Sequence, residues 1–339
     1  HKQILNESNM LQEKENISLE IIGLSNSQKM MLKDESIDLK SASTVCEKSE
    51  SLEQSDTNKM IKHMIAHPAS SRIIIDCSAS DETPDQYENI FENEINIVTA
   101  NKKGLSGSFE RYRSIMKAKE SNGIDFLYET TAGAALPFIK SVSDITSSSD
   151  EVRKIEGIFS GTLAYLFNTY DSSIPFSELV NEALQQGFTE PDPRDDLSGM
   201  DVARKLVILA REMGLDMEVR DINVESLVDP DHLKLSVDEY LKAMSSQDDA
   251  LKNRYIKANE NNEKLAYVAQ LDQNGKGSVS LNNLSSDHPF FSLKGTENII
   301  AIYSNYYSDY PLVLRGPGAG REVTASGLFF DLMSISRMQ

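Results

Sequence analysis

The sequence predicts an α/β protein in which a doubly wound parallel sheet carries an inserted α+β segment, and three observations predict it. Short β-branched apolar runs, "SLEIIGLSNS" (18–27), "RIIIDCSAS" (72–80), "INIVTANKKG" (95–104) and "DFLYETTAGAALP" (125–137), each end in small or polar residues. Charged stretches with helical spacing, such as "GSFERYRSIMKAKES", lie between them, and strand alternating with helix at this rhythm builds a parallel sheet. After about residue 130 the pattern changes: "KIEGIFSG", "KLAYVAQLD", "GSVSLNNL", "NIIAIYS" and "PLVLRG" read as strands, spaced by helices such as "DVARKLVILAREMG".

A chain of 339 residues exceeds one ordinary core and predicts two domains. With 34 basic against 53 acidic residues the net charge is −19, which repels a polyanion, so no nucleic-acid partner is expected and any phosphate must be held locally. No apolar run approaches the roughly 20 residues of a membrane helix, and no basic-then-apolar leader opens the chain. Cys46 and Cys77 lack metal-type spacing, and so few thiols suit a reducing compartment. These features predict a cytosolic protein without a membrane partner. The chain opens at His1 with Leu5, Met10 and Leu11 at helical spacing, so a helix already under way, and residues upstream of it, are expected.

Taken in order, "SLEIIGL" is followed by Ser25 and Asn26, not by the acidic residue that takes a ribose 2′-hydroxyl in NAD sites. Lys29 nearby would tolerate a 2′-phosphate, which tilts the expectation toward NADP. The Ser- and Glu-rich stretch at 41–56 reads as a solvated excursion before the apolar helix pattern "NKMIKHMIAH". In that helix His63 and His67 have zinc-like i, i+4 spacing, but no Glu follows His63 as HExxH requires, so a surface pair is the better reading. Ser78 and Ser80 offer hydroxyls at the end of the second strand, where ligands of such sheets bind. Past the third strand stand Asn101, Lys102 and Lys103; a lysine there can meet a phosphate, a nicotinamide amide or a carboxylate, although an isolated NKK is more often a solvated turn. "ETTAGAALP" joins Glu129 to small residues whose carbonyls can converge on a hard cation. Spacing alone favours a tight βα connection.

"TEPDPRDDLSGMDVARK" (189–205) sets Glu190, Asp192, Asp195 and Asp196 around Pro191 and Pro193. Ser198 is the expected N-cap of the next helix with Asp201 at N3, and Val202, Ala203, Leu206, Val207, Ala210 and Met213 form its apolar stripe. An Asp201–Lys205 pair contributes only a few tenths of a kcal/mol on an exposed helix, so stability alone scarcely demands it. The prolines fix φ and lower the entropy lost in holding the carboxylates, and fixed carboxylates are what grips a substrate ammonium. "RGPGAGREVTASG" (315–327) is a glycine-rich turn before a helix with Thr324 near its start. Such turns cradle phosphates or pass close to a cofactor, and they also serve as simple connections.

In order and spacing, "VTANKKG", "YETTAGAALP", "GIFSGTLAYLFN", "TEPDPRDDLSGMDVARKL" and "RGPGAGREVTASG" resemble homoserine dehydrogenase over roughly residues 18–335. The nearest likeness is to the dehydrogenase part of bifunctional aspartokinase–homoserine dehydrogenases. The resemblance implies NAD(P)H-dependent reduction of L-aspartate 4-semialdehyde to L-homoserine, on the route to threonine and methionine. It implies a Rossmann-like NAD(P)-binding domain from residues 1–130 plus 316–339, and a substrate and dimerisation domain from 131–315. It assigns Lys205 as proton donor with Asp201 beside it, and Glu190 and Asp196 as holders of the substrate amino group. Lys102 would stand between substrate and cofactor, Ser78 and Gly320 would touch the cofactor, and Glu129 with the carbonyls of Ala132, Ala134 and Leu136 would match the family's sodium site. A homodimer, fused to an upstream aspartokinase, is implied by the family alone. Homoserine oxidation is expected to improve at alkaline pH.

Two departures qualify the likeness. The family's strand and glycine-rich dinucleotide loop belong immediately before His1 and are absent from the sequence, and Ala135 stands where the family usually has glycine. The missing loop keeps a rival open: a catalytically silent, dimerising fragment of a larger bifunctional chain. A calcium-binding protein using the acids of 190–196 is a third reading, opposed by its prolines.

Overall fold

The computed structural model describes residues 11–37 and 52–338. Cys46, most of the 41–56 excursion, and Leu5 and Met10 of the opening helix lie outside the described residues. The chain separates into two compact units. One takes residues up to Leu105, Glu110–Tyr128 and Ala325 onward; the other takes Ser106–Phe109 and Glu129–Thr324.

In the first unit β1 (Gly23–Ser25), β2 (Lys29–Leu32) and β3 (Glu53–Gln54) form a small antiparallel sheet in the order β1-β2-β3. The strand read in "SLEIIGL" therefore does not join the parallel sheet, which corrects the expectation. The reason is local. Asn26 Oδ1 accepts the amides of Gln28 and Lys29, both at 2.8 Å, an Asx turn that reverses the chain.

The parallel sheet has the order β4-β5-β6, from Ile73–Asp76, Asn96–Thr99 and Phe126–Leu127. All of β5 is buried, as a central strand covered on both faces should be. Beside it the helix Tyr87–Glu92 sets Tyr87 and Phe91 against Phe126, ring centroids 5.5 Å apart in both pairs. Large side chains buried this fully each stabilise the fold by roughly 1.5–3 kcal/mol.

The second unit is built on a mixed sheet of six strands, β12-β11-β7-β9-β10-β8. They are β7 (Val152–Ile158), β8 (Ile222–Val224), β9 (Lys264–Asp272), β10 (Gly277–Leu284), β11 (Glu297–Ser304) and β12 (Leu312–Pro317). Five match the strands read from the sequence. β8, three residues long, is too short to show any alternation, and it alone pairs in parallel, with β10. The helix Met200–Glu212 buries Val202, Ala203, Leu206, Val207 and Ala210 of the stripe its sequence predicts, and Ile208 and Leu209 besides, while Met213 stays half-buried. The chain is thus an α/β protein with a Rossmann-like part and an α+β part. Among the described residues no helix is long and apolar enough to cross a membrane.

One cap differs from expectation. The N-cap of Met200–Glu212 is Gly199, at φ 72°, with no side-chain cap bond, while Ser198 closes the preceding short helix Pro193–Leu197. Two helices meet within two residues, and the reversal between them requires a left-handed residue that only glycine adopts at little cost. Asp201 is therefore not an N3 capping residue.

Candidate active site

Lys205 sits on the second turn of Met200–Glu212, its side chain 12% exposed. Its Nζ donates to Phe159 O at 2.7 Å and pairs with Asp201 Oδ2 at 2.8 Å. A lysine ammonium has three donors, so these two acceptors fix its direction while a third N–H remains to be offered. Phe159 ends the run that begins with β7. Ser160 then caps the helix Gly161–Thr169 by accepting from Leu163 N. The stretch "GIFSGT" thus supplies a carbonyl that aims the lysine. Sequence reasoning missed this role, because a main-chain acceptor carries no side-chain signature.

The acidic loop is anchored to the same helix. The Thr162 hydroxyl lies within reach of Phe188 O, 2.7 Å away, and of the Asp196 carboxylate, and the Tyr165 ring stacks on Phe188 at 4.4 Å. Asp196 Oδ2 in turn accepts the amide of Glu190 at 2.8 Å. Burial pushes the Asp196 carboxyl above its ordinary value, and the Glu190 and Asp201 carboxylates push the same way against the bonds from Glu190 N and Thr162. Asp196 therefore feels both Glu190 and Asp201, and a cation placed beside it would relieve both the repulsion and the burial cost.

Not every acid of the loop serves this cluster. Asp192 caps Pro193–Leu197 through Arg194 N and is bound by the Arg194 guanidinium, which holds its carboxyl below the ordinary range. Asp195 is exposed. Of the four acids read in the sequence, only Glu190 and Asp196 are brought together.

The glycine turn lies in the same unit. Gly318 packs onto the Asn298 amide so closely that a Cβ there would overlap it, Gly320 adopts φ 111°, and Ala319 stands 3.4 Å from where a Cβ on Gly161 would be. Gly320 heads the helix Arg321–Met338, with Thr324 N bonded to Gly320 O at 2.9 Å. A backbone stripped of side chains before a helix start suits close approach of a dinucleotide.

Ser78 and Lys102 belong to the first unit, past the ends of β4 and β5, which pair in parallel at Asp76 and Thr99. Asp76 is 5% exposed and organises both ends: it accepts from Ser78 N at 2.8 Å, Tyr87 Oη at 2.6 Å and Asn101 Nδ2 at 3.1 Å. Asn101 Nδ2 also reaches Ser78 Oγ and Ser80 O. The residue before Lys102 is thus locked to the strand end that offers Ser78, and the hydroxyls, amides and lysine at this edge suit a phosphate-bearing cofactor.

Glu129 heads a short helix, Thr130–Gly133, and its two carboxylate oxygens accept the amides of Ile139 and Lys140 at 2.8 and 2.9 Å, at the start of Phe138–Thr146. Ala134 is held at φ 55°, a strained position for alanine, and Leu136 O accepts Phe138 N at 2.8 Å. The donor set of Glu129, Ala132, Ala134 and Leu136 is all oxygen, as a hard cation requires. Ala135, the departure from the family pattern, keeps an ordinary negative φ, absent as it is from the positive-φ positions.

The histidine pair is spent otherwise: His63 Nε2 meets Lys33 O at 2.9 Å and His67 Nε2 lies 3.5 Å from Glu20. Among the described residues no group of three or more His, Cys, Asp or Glu side chains could hold a metal ion, which speaks against both the zinc and the calcium readings. Cys77 is an exposed free thiol.

Comparison with known proteins follows the same residues. A family model described as homoserine dehydrogenase matches residues 137–333, and one described as homoserine dehydrogenase, NAD binding domain, matches 5–129. A chloroplastic bifunctional aspartokinase/homoserine dehydrogenase 2 of Zea mays is 40% identical over 98% of this chain and 36% of its own length. The bifunctional aspartokinase/homoserine dehydrogenase 2 of Escherichia coli is 43% identical over 85% of this chain, again 36% of its own length. The chain therefore spans about a third of these relatives. Among solved structures, a Candida auris protein of unknown function superimposes with a TM-score of 0.87 at 34% identity, covering 97% of this chain and 94% of that one. A hyperthermophilic archaeal homoserine dehydrogenase in complex with NADPH shares the fold, with a TM-score of 0.73 at 21% identity over 98% and 93% of the two chains.

Proposed function

The chain belongs to the homoserine dehydrogenase family, a family of NAD(P)-dependent oxidoreductases, and from that premise we propose that it interconverts L-aspartate 4-semialdehyde and L-homoserine. The observation that carries the reading is the Lys205 ammonium, aimed by Phe159 O and Asp201 beside an acid cluster in which Asp196 is held above its ordinary pKa. A bound nicotinamide cofactor supplies the hydride. As negative charge grows on the aldehyde oxygen, the third N–H of Lys205 stabilises it and delivers the proton. Asp201 keeps the ammonium in place. Glu190 and Asp196 receive the substrate's own ammonium, which fixes the distance between the amino-acid end and the reacting carbon. Lys102 stands between substrate and cofactor, and Ser78 and Gly320 line the cofactor.

The finer points belong to the same proposal. NADP is the preferred cofactor, although Ser25, Asn26 and Lys29, whose lack of an acid suggests it, lie in the β1–β2 hairpin outside the parallel sheet. Sodium binds Glu129 and the carbonyls of Ala132, Ala134 and Leu136. Residues 1–130 with 316–339 make the cofactor domain and 131–315 the substrate and dimerisation domain. The protein is a cytosolic homodimer fused to an upstream aspartokinase; the relatives named as bifunctional aspartokinase/homoserine dehydrogenases support the fusion.

Assaying NADP reduction with homoserine tests the whole reading, with Lys205→Ala as the decisive variant. Loss of turnover with NADPH binding retained, read by nicotinamide fluorescence, supports it; undiminished turnover by a folded variant overturns it. An unmodified chain with no saturable NADPH signal would instead be the silent fragment.

A further inference from the structure

We infer that Arg194, remote from the reacting atoms, is a positioning residue for recognition of the substrate's amino group; the inference rests on the reading above and deepens it. Arg194 follows Pro193 in the short helix Pro193–Leu197, between Glu190 and Asp196 in the sequence. Its guanidinium donates from Nε and Nη2 to Asp192, at 2.9 and 2.6 Å. From Nη1 it reaches the carbonyls of His232, Leu233 and Leu235 at 3.1, 3.2 and 2.8 Å. The group also lies over the Tyr240 ring, 5.2 Å from its centroid, and Tyr240 is fully buried.

One planar cation thus spends its fork on the middle of the acidic loop and its remaining amino group on a turn about 40 residues later. The geometry matters because, among the described residues, Glu190 and Asp196 have no comparable cationic tether. The Glu190 and Asp201 carboxylates both push on Asp196, against the bonds it accepts from Glu190 N and Thr162, so the pocket for an ammonium must be held open by the surrounding fold. At its entry the loop is held by Thr162 and Tyr165 through Phe188; the prolines stiffen it. Arg194 supplies the second anchor, on the far side of Glu190, and prepays the ordering that ammonium binding would otherwise have to supply. A lysine cannot replace it, since a single ammonium cannot serve a bidentate carboxylate and three carbonyls at once.

The test uses the full-length protein with NADPH bound, which cannot oxidise the ligand, and compares homoserine with 4-hydroxybutanoate, which lacks the ammonium. Arg194→Lys and, independently, Asp192→Asn are titrated with each, after thermal melting shows the folded state. Homoserine binding should weaken by about tenfold or more in both variants while 4-hydroxybutanoate binding is unchanged. Equal weakening of both ligands, or none, in a folded variant overturns the positioning role. Should Arg194→Lys not fold, Asp192→Asn decides by the same criterion. Failure of the unmodified protein to prefer homoserine over 4-hydroxybutanoate would overturn the functional reading itself, and is seen before any variant is made.

Discussion

The Lys205 ammonium donates to the main-chain carbonyl of Phe159, 2.7 Å away and 46 residues earlier in the chain. A carbonyl at the strand–helix junction cannot be moved by a side-chain rotation, so the lysine is aimed by the fold itself, and Asp201 on the same helix completes the aim. Together they turn a pair worth little on an exposed helix into a directed ammonium, as the proposed proton donor requires.

Replacing Lys205 with Met keeps the aliphatic stem and removes the ammonium proposed to donate the proton. Steady-state rates with saturating homoserine should fall by about 10²–10⁴, and the Kd for NADPH, read by fluorescence, should not change.

Asp196 gives a pH signature. Its carboxyl is raised above the ordinary 3.8, by burial first and by Glu190 and Asp201 next. The folded state therefore holds a proton that the unfolded state has released, and this group's contribution to stability declines as pH rises from 3.8 through the raised value. Ammonium binding needs the ionised form, so homoserine affinity should drop as pH falls through that raised value. In Asp196→Asn, homoserine binds weakly at neutral pH and the acid limb of its pH profile flattens; calorimetric titrations across the acid range would show a persisting limb if Asp196 were not responsible.

Gly199→Ala tests the helix junction. The residue stands at φ 72°, and a Cβ would collide with Tyr267 Oη, which is itself held by Glu225 O at 2.6 Å. Left-handed strain of about 1–2 kcal/mol plus overpacking of about 1–3 kcal/mol should appear in urea denaturation as a lower midpoint with an unchanged slope.

Glu129→Gln separates two roles of one carboxylate. Loss of the charged acceptor for Ile139 N and Lys140 N should cost about 0.5–2 kcal/mol of stability in sodium-free buffer. If the oxygen set also takes sodium, added sodium raises the melting temperature of the unmodified protein more than that of the variant, with potassium and choline chlorides as controls. Equal shifts would leave Glu129 as a helix cap alone.

Sequence by itself determined the alternation that makes an α/β chain, five of the strands of the mixed sheet, the buried stripe of Met200–Glu212 and the residue types at the strand ends. Each of these depends on interactions within about one turn or one strand, which periodicity records. Tertiary structure decided the rest. It set "SLEIIGL" into an antiparallel hairpin through Asn26, moved the cap from Ser198 to Gly199, and divided four similar acids, giving Asp192 to Arg194 and Asp196 to the cluster with Glu190. It also chose Phe159 O as the partner of Lys205. The physical reason is common to all of them: a main-chain carbonyl or amide looks alike at every position in a sequence. Only the folded chain brings one such group to a particular charge, at a distance and degree of burial where the bond has consequences.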